Sequence, residues 1–322
     1  MPTRSPVSFD FARNCWFLTG ATASGKTAVG LALVERLAAA GRPTEVLSLD
    51  SMAVYRGMDI GTAKPSAEER ARVPHHLIDL RTPEEEFSVA NYRDEAARVC
   101  EALIARGVTP LFVGGTPMYL KCLLRGLFDG PAANWDLRRE LETELEQLGS
   151  SALHERLKLV DPLAASAIHP NDARRIVRAM EVFRGAGEPI SHQQMEFEEP
   201  VPADQCRVFT IRRERDDLHH RIERRVDAMM AQGLVDEVRG LTADGRTLGR
   251  SASQAVGYRE VIEHLRGDYD ADELVKRTQT RTRRFAKRQG TWFRSLSECR
   301  FIDVGPDESS NSVAERILTE AI

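Results

Sequence analysis

The feature that most constrains the fold is a glycine-rich segment between a short apolar run and a helical pattern. Residues 20–27 read GATASGKT and fit the pattern G-x-x-x-x-G-K-[ST]. The apolar run 15–19 precedes the segment, and the helical pattern 28–40 follows it. This order of strand, loop and helix predicts backbone N–H groups that cradle phosphates at the positive end of a helix. A chance glycine-rich turn is the less favoured interpretation.

The same segment predicts two chemical roles. Lys26 would neutralise the phosphates, and the Thr27 hydroxyl would be a ligand of Mg²⁺, the one cofactor we expect. The motif does not identify the molecule that carries the diphosphate. The predicted diphosphate-binding residues are Gly20, Ala21, Thr22, Ala23, Ser24, Gly25, Lys26 and Thr27.

The charge is unevenly distributed along the 322 residues. The net charge of -4 excludes a general polycation, but residues 276–294 hold eight Lys or Arg and no Asp or Glu. A local basic stretch on a mildly acidic chain predicts one anionic partner bound at one face.

The cysteines and the apolar runs bear on the location of the protein. The five cysteines are far apart and include no C-x-x-C pair, so we predict neither a zinc site nor a disulfide framework. No run approaches the ~18 apolar residues of a membrane span. Residues 1–13 lack the apolar core of a secretory signal, and we expect them to be a disordered lead-in. We therefore expect a cytoplasmic protein with reduced thiols and no membrane contact.

Short apolar runs alternate with helical patterns in the first third of the chain. Strands are predicted at 15–19, 44–49 and 109–113, and helices at 28–40 and 89–106, with Gly41 and Gly107 as helix stops. This alternation predicts a parallel sheet with right-handed crossovers. Ligands bind at the carboxyl ends of such strands, so Gly20, Asp50 and Gly114 should converge.

We therefore predict an α/β fold: a P-loop NTPase-like parallel sheet flanked by helices, with a helical insertion domain. The sheet domain would comprise residues 14–130 and 206–322 and end in basic helices, and residues 131–205 would form the insertion. The later elements are predicted as strands at 207–212 and 301–304, and helices near 214–242, 252–265 and 271–290.

Two polar segments follow predicted strands. Asp50 is either a carboxylate that accepts a proton or helps to hold Mg²⁺, or a helix N-cap, and the residues alone leave both open. Thr116, after Gly114 and Gly115, offers a hydroxyl. On the residues alone it is better explained as the cap of a tight turn, with Tyr119 in the core.

Two groups of arginines suit an anionic partner. Arg174 and Arg178 share a face of a predicted helix, where a solvated surface is the simpler interpretation. Four arginines of the basic stretch recur at helical spacing near Phe285 and Trp292, a combination that suits an RNA backbone and unstacked bases. The alternative is a charged helix with core aromatics. These four are Arg277, Arg281, Arg284 and Arg288.

Seven segments occur in one order over roughly residues 15–295: GATASGKT, DSMAVYRGMDIGTAKP, FSVANY, VGGTPMYLKCLL, HPNDARRIVRAMEVF, QAVGYRE and RRFAKRQGTWFR. Together they closely resemble the bacterial tRNA dimethylallyltransferase (tRNA isopentenyltransferase) family. The sequence departs from the usual pattern at Ala21, at Ala53 and at Pro117-Met118, where the family usually has Pro, Gln and Gly-Leu.

The resemblance implies transfer of a dimethylallyl group from dimethylallyl diphosphate to the exocyclic N6 of the adenine beside the tRNA anticodon. The glycine loop would hold the leaving diphosphate, with Lys26 stabilising its charge. Asp50 matches the family's general base, and Thr116 matches a threonine at its reaction centre. The partner would be the anticodon stem-loop, and we expect a monomer. The tRNA-contacting positions implied are Asp50, Ser51, Met52, Ala53, Arg174, Arg175, Arg178, Gln254, Gly257, Tyr258, Arg259, Lys287, Arg288, Gln289, Trp292 and Arg294.

Two other functions would use the same loop. A small-molecule kinase or an adenylate isopentenyltransferase would need neither the helical insertion nor the basic stretch. An RNA-binding NTPase would be expected to have an apolar strand ending in Asp or Asp-Glu, which residues 46–50 match only loosely.

Overall fold

A sheet of six parallel strands forms the centre of the protein, in the order β3-β2-β4-β1-β5-β6. The computed structural model describes residues 10–126, 134–194 and 200–321. The strands are β1 (Trp16–Gly20), β2 (Thr44–Leu49), β3 (His75–His76), β4 (Thr109–Gly114), β5 (Arg207–Arg212) and β6 (Arg300–Asp303). A parallel α/β sheet with this glycine loop after β1 is the P-loop NTPase-like fold that the sequence predicts.

Helices account for most of the remaining described residues. Those before the insertion are α1 (Phe11–Asn14), α2 (Lys26–Ala39), α3 (Ala67–Arg72), α4 (Val89–Ala105) and α5 (Pro117–Arg125). The next five are α6 (Trp135–Leu148), α7 (Ser150–Val160), α8 (Pro162–Ala167), α9 (Ala173–Ala186) and α10 (Ile190–Gln194). The last five are α11 (Arg215–Ala231), α12 (Leu234–Leu241), α13 (Tyr258–Leu265), α14 (Ala271–Arg294) and α15 (Ser310–Glu320). None of the helices in the described ranges is long and apolar enough to cross a membrane.

Both faces of the sheet are buried, because successive side chains of each strand point to opposite sides. On one face Phe17 stacks on Phe112 with ring centroids 5.0 Å apart. On the other face Leu18 and Leu111 pack with the apolar side of α2. The apolar runs in the sequence therefore correspond to strands covered on both sides, as in other parallel sheets.

The chain divides into two compact units, one of Met1–Leu124 with Pro200–Ile322 and one of Arg125–Glu199. Helices α6–α10 belong to the second unit, whose apolar core includes Leu141, Leu157 and Ile176. The predicted limits of the insertion, 131 and 205, stay a prediction, and residues 131–133 and 195–199 lie outside the described residues.

Most elements confirm the sequence predictions, and the differences have local causes. The predicted helix 214–242 is wrong as one helix, because Gly233 (φ 96°) separates α11 from α12. Gly257 (φ 94°) likewise delays α13 until Tyr258. The disordered lead-in predicted for residues 1–13 is wrong at residues 11–13, which belong to the short helix α1 with Phe11 buried. Residues 1–9 lie outside the described residues. Strand β3 was missed because two residues show no periodicity.

Candidate functional site

Three strand ends converge at one edge of the sheet, as predicted. In the register, Thr19 of β1 and Leu49 of β2 both lie beside Gly114 of β4. A Cβ atom on Gly114 would lie 2.2 Å from the Leu49 carbonyl oxygen, and one on Gly115 would lie 3.1 Å from the Gly20 oxygen. Only glycine permits this close approach of backbones. Gly114 therefore brings β4 against the end of β2, and Gly115 brings the turn after β4 against the start of the glycine loop.

The glycine loop is held from outside by two arginines that the sequence analysis did not single out. Arg221 Nε donates to the Ala23 carbonyl oxygen at 2.9 Å, and Arg213 Nε donates to the Ser24 oxygen at 2.8 Å. Gly25 (φ 97°) then leads into α2, the first residue of which is Lys26. Guanidinium groups on the loop carbonyls fix the loop conformation and add positive charge near an expected anion. In the sequence, only the position of these arginines after the strand predicted at 207–212 indicated that they could lie near the loop.

Lys26 is the one basic side chain of the glycine loop, residues 20–27. Its Nζ donates to the Ala21 carbonyl oxygen at 2.7 Å. Burial, together with the nearby charge of Arg225, lowers the pKa of Lys26 from its ordinary 10.5 to about 7, against the opposing effect of Asp50. Burial also lowers the pKa of Arg225, again opposed by Asp50. The structure thus gathers two cationic side chains and one carboxylate, and Arg225 is a site residue that the sequence analysis missed.

Asp50 is a backbone cap in the structure, whereas its role as a proton acceptor or Mg²⁺ ligand stays a prediction. Its Oδ1 accepts from the backbone N–H of Met52 at 2.8 Å and of Ala53 at 3.3 Å, so the carboxylate caps the segment that follows β2. Both bonds end on the same oxygen. The capping bonds therefore orient the carboxylate at the strand edge where Lys26 and Arg225 lie.

Thr116 and Ser51 bring two hydroxyl groups beside Asp50. Thr116 Oγ1 accepts from the Ser51 backbone N–H at 3.1 Å and lies 3.5 Å from Ser51 Oγ. Tyr119 is buried and stacks on Tyr92 at 3.8 Å, as the capped-turn interpretation expects. The turn is therefore structural, and it also places the Thr116 hydroxyl at the site.

The donors present suit a magnesium ion that takes few ligands from the protein. Thr27 is exposed at the second position of α2. Within the described ranges, no group of three or more His, Cys, Asp or Glu is arranged to hold a metal. Mg²⁺ commonly binds through one or two protein oxygens together with substrate phosphates and water. Among the described residues the buried Ser24 hydroxyl has no hydrogen-bond partner, so the loop also holds a polar atom in its interior.

The segment around Tyr258 holds the chain after Asp50. Tyr258 is buried, and its hydroxyl donates to Glu237 Oε1 at 2.5 Å. Glu237 Oε2 also accepts from the backbone N–H groups of Asp59 at 3.0 Å and Ile60 at 2.7 Å. Among the predicted neighbours, Arg259 contacts Glu263 at 2.7 Å and Gln254 at 3.3 Å. The tRNA contacts assigned to these residues stay predictions, whereas their bonds within the protein are observed.

Helix α14 presents a basic face beside α13. A cleft of about 790 Å³ there is lined by six basic and four acidic side chains, and Arg281 pairs with Glu260 at 2.6 Å. Lys287, Arg288 and Arg294 are exposed, and Trp292 is half-buried. The basic lining residues are Arg259, Lys276, Arg277, Arg281, Arg284 and Arg288. The cleft thus keeps an excess of positive charge, which suits a polyanion.

The remaining predicted arginines lie on α9 of the helical unit. Arg174 and Arg175 are exposed, and Arg178 is half-buried and paired with Glu181 at 2.9 Å. Arg138 contacts the same buried Glu181 at 2.6 Å. Arg138 therefore joins α6 to α9 through Glu181, whereas the pair of Arg178 and Glu181 lies within α9. The predicted tRNA contact of Arg178 stays a prediction.

The parallel sheet, with the glycine loop after β1 and the Asp50 carboxylate after β2, defines an α/β protein of the P-loop NTPase-like class. The family model described as IPP transferase matches residues 53–296, and the chain belongs to this family.

Relatives and solved structures agree with that membership. The chain is 48% identical over 312 residues to the tRNA dimethylallyltransferase of Rhodopirellula baltica, covering 94% of this chain and 93% of the relative. The tRNA dimethylallyltransferase of Geobacter metallireducens is 45% identical, at 88% and 90% coverage. The tRNA isopentenylpyrophosphate transferase of Bacillus halodurans superposes with a TM-score of 0.68 at 38% identity, covering 96% of each chain. A eukaryotic dimethylallyltransferase acting on tRNA superposes with a TM-score of 0.71 at 25% identity, covering 90% of this chain and 73% of that one.

Proposed function

We propose that this protein transfers a dimethylallyl group from dimethylallyl diphosphate to the exocyclic N6 of the adenine adjacent to the tRNA anticodon. The family and the names of the relatives support the reaction class. The observation that carries the proposal is the placement of Asp50 beside the phosphate loop, with Lys26 and Arg225 close by. A base for the amine and cations for the leaving diphosphate are then present at one strand edge.

The loop side of the site serves the leaving group. As the allylic C–O bond breaks, negative charge builds on the diphosphate, and fixed donors that face this charge lower the barrier. Lys26, Arg225 and the N-terminal N–H groups of α2 are the donors available. A bound Mg²⁺, held by the Thr27 hydroxyl and the phosphate oxygens, would add a Lewis acid there. A diphosphate beside Lys26 also favours the protonated amine, so substrate restores the charge that burial opposes.

The carboxylate side of the site serves the nucleophile. An exocyclic amine is a weak nucleophile, so its alignment and the removal of its proton matter. The N6–C bond forms as the C–O bond breaks, diphosphate leaves, and the amine proton passes to Asp50. Because the capping bonds use Oδ1, we assign proton acceptance to Oδ2. The backbone N–H groups of Met52 and Ala53 orient the base, and the Thr116 hydroxyl holds the adjacent Ser51 N–H.

The basic face of α14 serves the RNA. Its exposed Lys287, Arg288 and Arg294 suit phosphate contacts, which supply most of the salt-dependent affinity for nucleic acids. The target adenine has to leave its stack to reach Asp50, as in other enzymes that modify bases. Single-stranded loops allow this more readily than duplexes, which favours the anticodon loop as the substrate.

The test is transfer of radiolabel from dimethylallyl diphosphate to an unmodified tRNA anticodon stem-loop, with ATP in a parallel reaction. We expect label in the RNA that depends on Mg²⁺ and is lost in Lys26→Ala. Lys158→Ala is the matched control, because Lys158 is an exposed lysine of the helical unit whose ion pair, among the residues that the structure describes, is with Glu155. Label on free AMP would indicate a nucleotide prenyltransferase. RNA-stimulated release of phosphate from ATP, without label transfer, would indicate an NTPase.

A further inference from the structure

The buried stripe of α14, the side of the helix that includes Thr278, Thr282 and Gln289, contains one amide whose hydrogen-bond partners differ from those of its polar neighbours. Thr278 and Thr282 lie on this stripe, and their hydroxyls bond back to carbonyl oxygens of the helix itself, at 2.8 and 2.7 Å. Gln289, with 5% of its surface exposed, bonds instead to two backbone groups outside the helix. A buried amide has to satisfy both its donor and its acceptor, so its partners are part of the fold.

Those partners lie in the two turns at the site, namely the phosphate loop after β1 (residues 20–27) and the second turn, which follows β4 at Gly115. Gln289 Oε1 accepts from the Thr22 backbone N–H of the phosphate loop at 2.9 Å. Gln289 Nε2 donates to the Gly115 carbonyl oxygen of the second turn at 2.6 Å. One side chain thus bridges the loop after β1 and the turn after β4. A Cβ atom on Gly115 would lie 2.6 Å from Nε2, so the bridge itself requires glycine there.

We infer that Gln289 is a positioning residue for the diphosphate site, which holds the phosphate loop against the second turn. The inference rests on the proposed function of that loop. The bridge occupies one loop N–H and thereby fixes the peptide between Ala21 and Thr22, so the remaining N–H groups face the diphosphate already aligned. Lys26 Nζ binds the oxygen of Ala21, the residue next to Thr22, so a displaced loop also displaces the lysine. Such preorganisation increases affinity by lowering the ordering cost of binding.

The bridge requires an amide of this length. In Gln289→Met the side chain keeps similar bulk but leaves the Thr22 N–H and the Gly115 oxygen without partners. In Gln289→Glu one oxygen still accepts from Thr22, but the other meets the Gly115 oxygen at the former donor position and repels it. Gln279→Met is the matched control, because Gln279 lies on the same helix and contacts Asp227 Oδ1 at 3.1 Å, away from both turns.

The experiment measures three quantities for each variant of the full chain: affinity for inorganic diphosphate with Mg²⁺ by calorimetry, affinity for the anticodon stem-loop by fluorescence anisotropy, and melting temperature. We expect Gln289→Met to weaken diphosphate binding roughly tenfold, the equivalent of one lost hydrogen bond. RNA affinity should stay within about twofold, and the control should match the unaltered protein. In turnover assays, KM for dimethylallyl diphosphate should rise while KM for RNA does not.

Other outcomes would overturn the inference. Loss of RNA affinity with unchanged diphosphate affinity would make Gln289 an RNA contact. A gain in diphosphate affinity would show that Gln289 competes for the Thr22 N–H group. Equal loss of all three quantities, with no partial recovery in Gln289→Glu, would assign only a structural role. Because inorganic diphosphate binding needs no turnover, a protein that binds diphosphate but transfers no dimethylallyl group would refute the proposed function and leave this test intact.

Discussion

The lowered pKa of Lys26 predicts a specific pH dependence of diphosphate binding. In the free protein burial and Arg225 hold this pKa at about 7, so the amine is only partly charged at neutral pH. A bound diphosphate favours the ammonium form and returns the pKa to its ordinary value or above. Binding therefore takes up a proton, and affinity falls as the pH rises above 7.

The size of the effect follows from the two pKa values. The pKa of Lys26 is about 7 in the free protein, and it would be at least the ordinary 10.5 when diphosphate is bound. Linkage between proton and diphosphate binding then predicts roughly a 50-fold loss of diphosphate affinity between pH 7 and pH 9. Diphosphate itself also titrates in this range, and its greater charge at high pH opposes the trend. In a variant with a permanent positive charge at position 26, diphosphate titrates in the same way, but the side chain does not lose its proton. The affinity of this variant therefore lacks the decrease that comes from deprotonation of Lys26.

Lys26→Arg provides that reference, since a guanidinium stays protonated throughout the range. The assay is isothermal calorimetry of inorganic diphosphate and Mg²⁺ at pH 7, 8 and 9 in buffers of different ionisation enthalpy, which also counts the protons taken up. We expect the affinity ratio of the unaltered protein to Lys26→Arg to fall with pH. Parallel pH profiles would refute the argument, because they would show that Lys26 is already fully charged in the free protein.

Three further predictions concern the carboxylate, the basic face and the second turn. Asp50→Asn keeps an oxygen that accepts the capping bonds but removes the carboxylate that would accept the proton. The value of kcat should therefore fall by about 10²–10⁴ while RNA affinity stays unchanged; equal loss of kcat and RNA affinity would make Asp50 structural. Arg288→Ala should weaken RNA binding and lower the slope of log K against log salt by about 0.7–0.9; an unchanged slope would count against a phosphate contact. Gly114→Ala places a Cβ 2.2 Å from the Leu49 oxygen and should lower the free energy of unfolding by about 3 kcal/mol in urea. Gly240→Ala has open space around its new Cβ, and a similar loss in it would refute the steric argument.

Local sequence determined the elements of the sheet unit, because hydrophobic periodicity and turn chemistry act over a few residues. The predicted bounds of β2 and β5 match the observed strands, and Gly41 and Gly107 follow the ends of α2 and α4 with positive φ. Breaks inside long polar helices were harder to predict. Gly233 is compatible with a helix on local grounds, and only its left-handed conformation in the structure shows the break.

The sequence likewise predicted some residues of the candidate site and missed others. The phosphate loop is a contiguous motif, and its neighbours at the strand ends follow from parallel topology, so Lys26, Asp50 and Thr116 could be brought together from sequence. Arg213, Arg221 and Arg225 are ordinary arginines after β5, and no local pattern distinguishes them from solvated ones. The loop contacts of Arg213 and Arg221, and the charge that Arg225 places near Lys26, depend on β5 pairing with β1.

The sequence by itself thus determined the phosphate loop, the parallel sheet and the basic character of α14, since each is written in residues that are neighbours along the chain. Only the tertiary structure decided which side chains face the loop and how far burial changes their charge. Gln289 shows the physical reason: its place on a basic helix suggests a solvent-facing RNA contact, but packing buries it between two turns. Hydrogen-bond partners and desolvation depend on residues far away in sequence, and the fold alone brings these together.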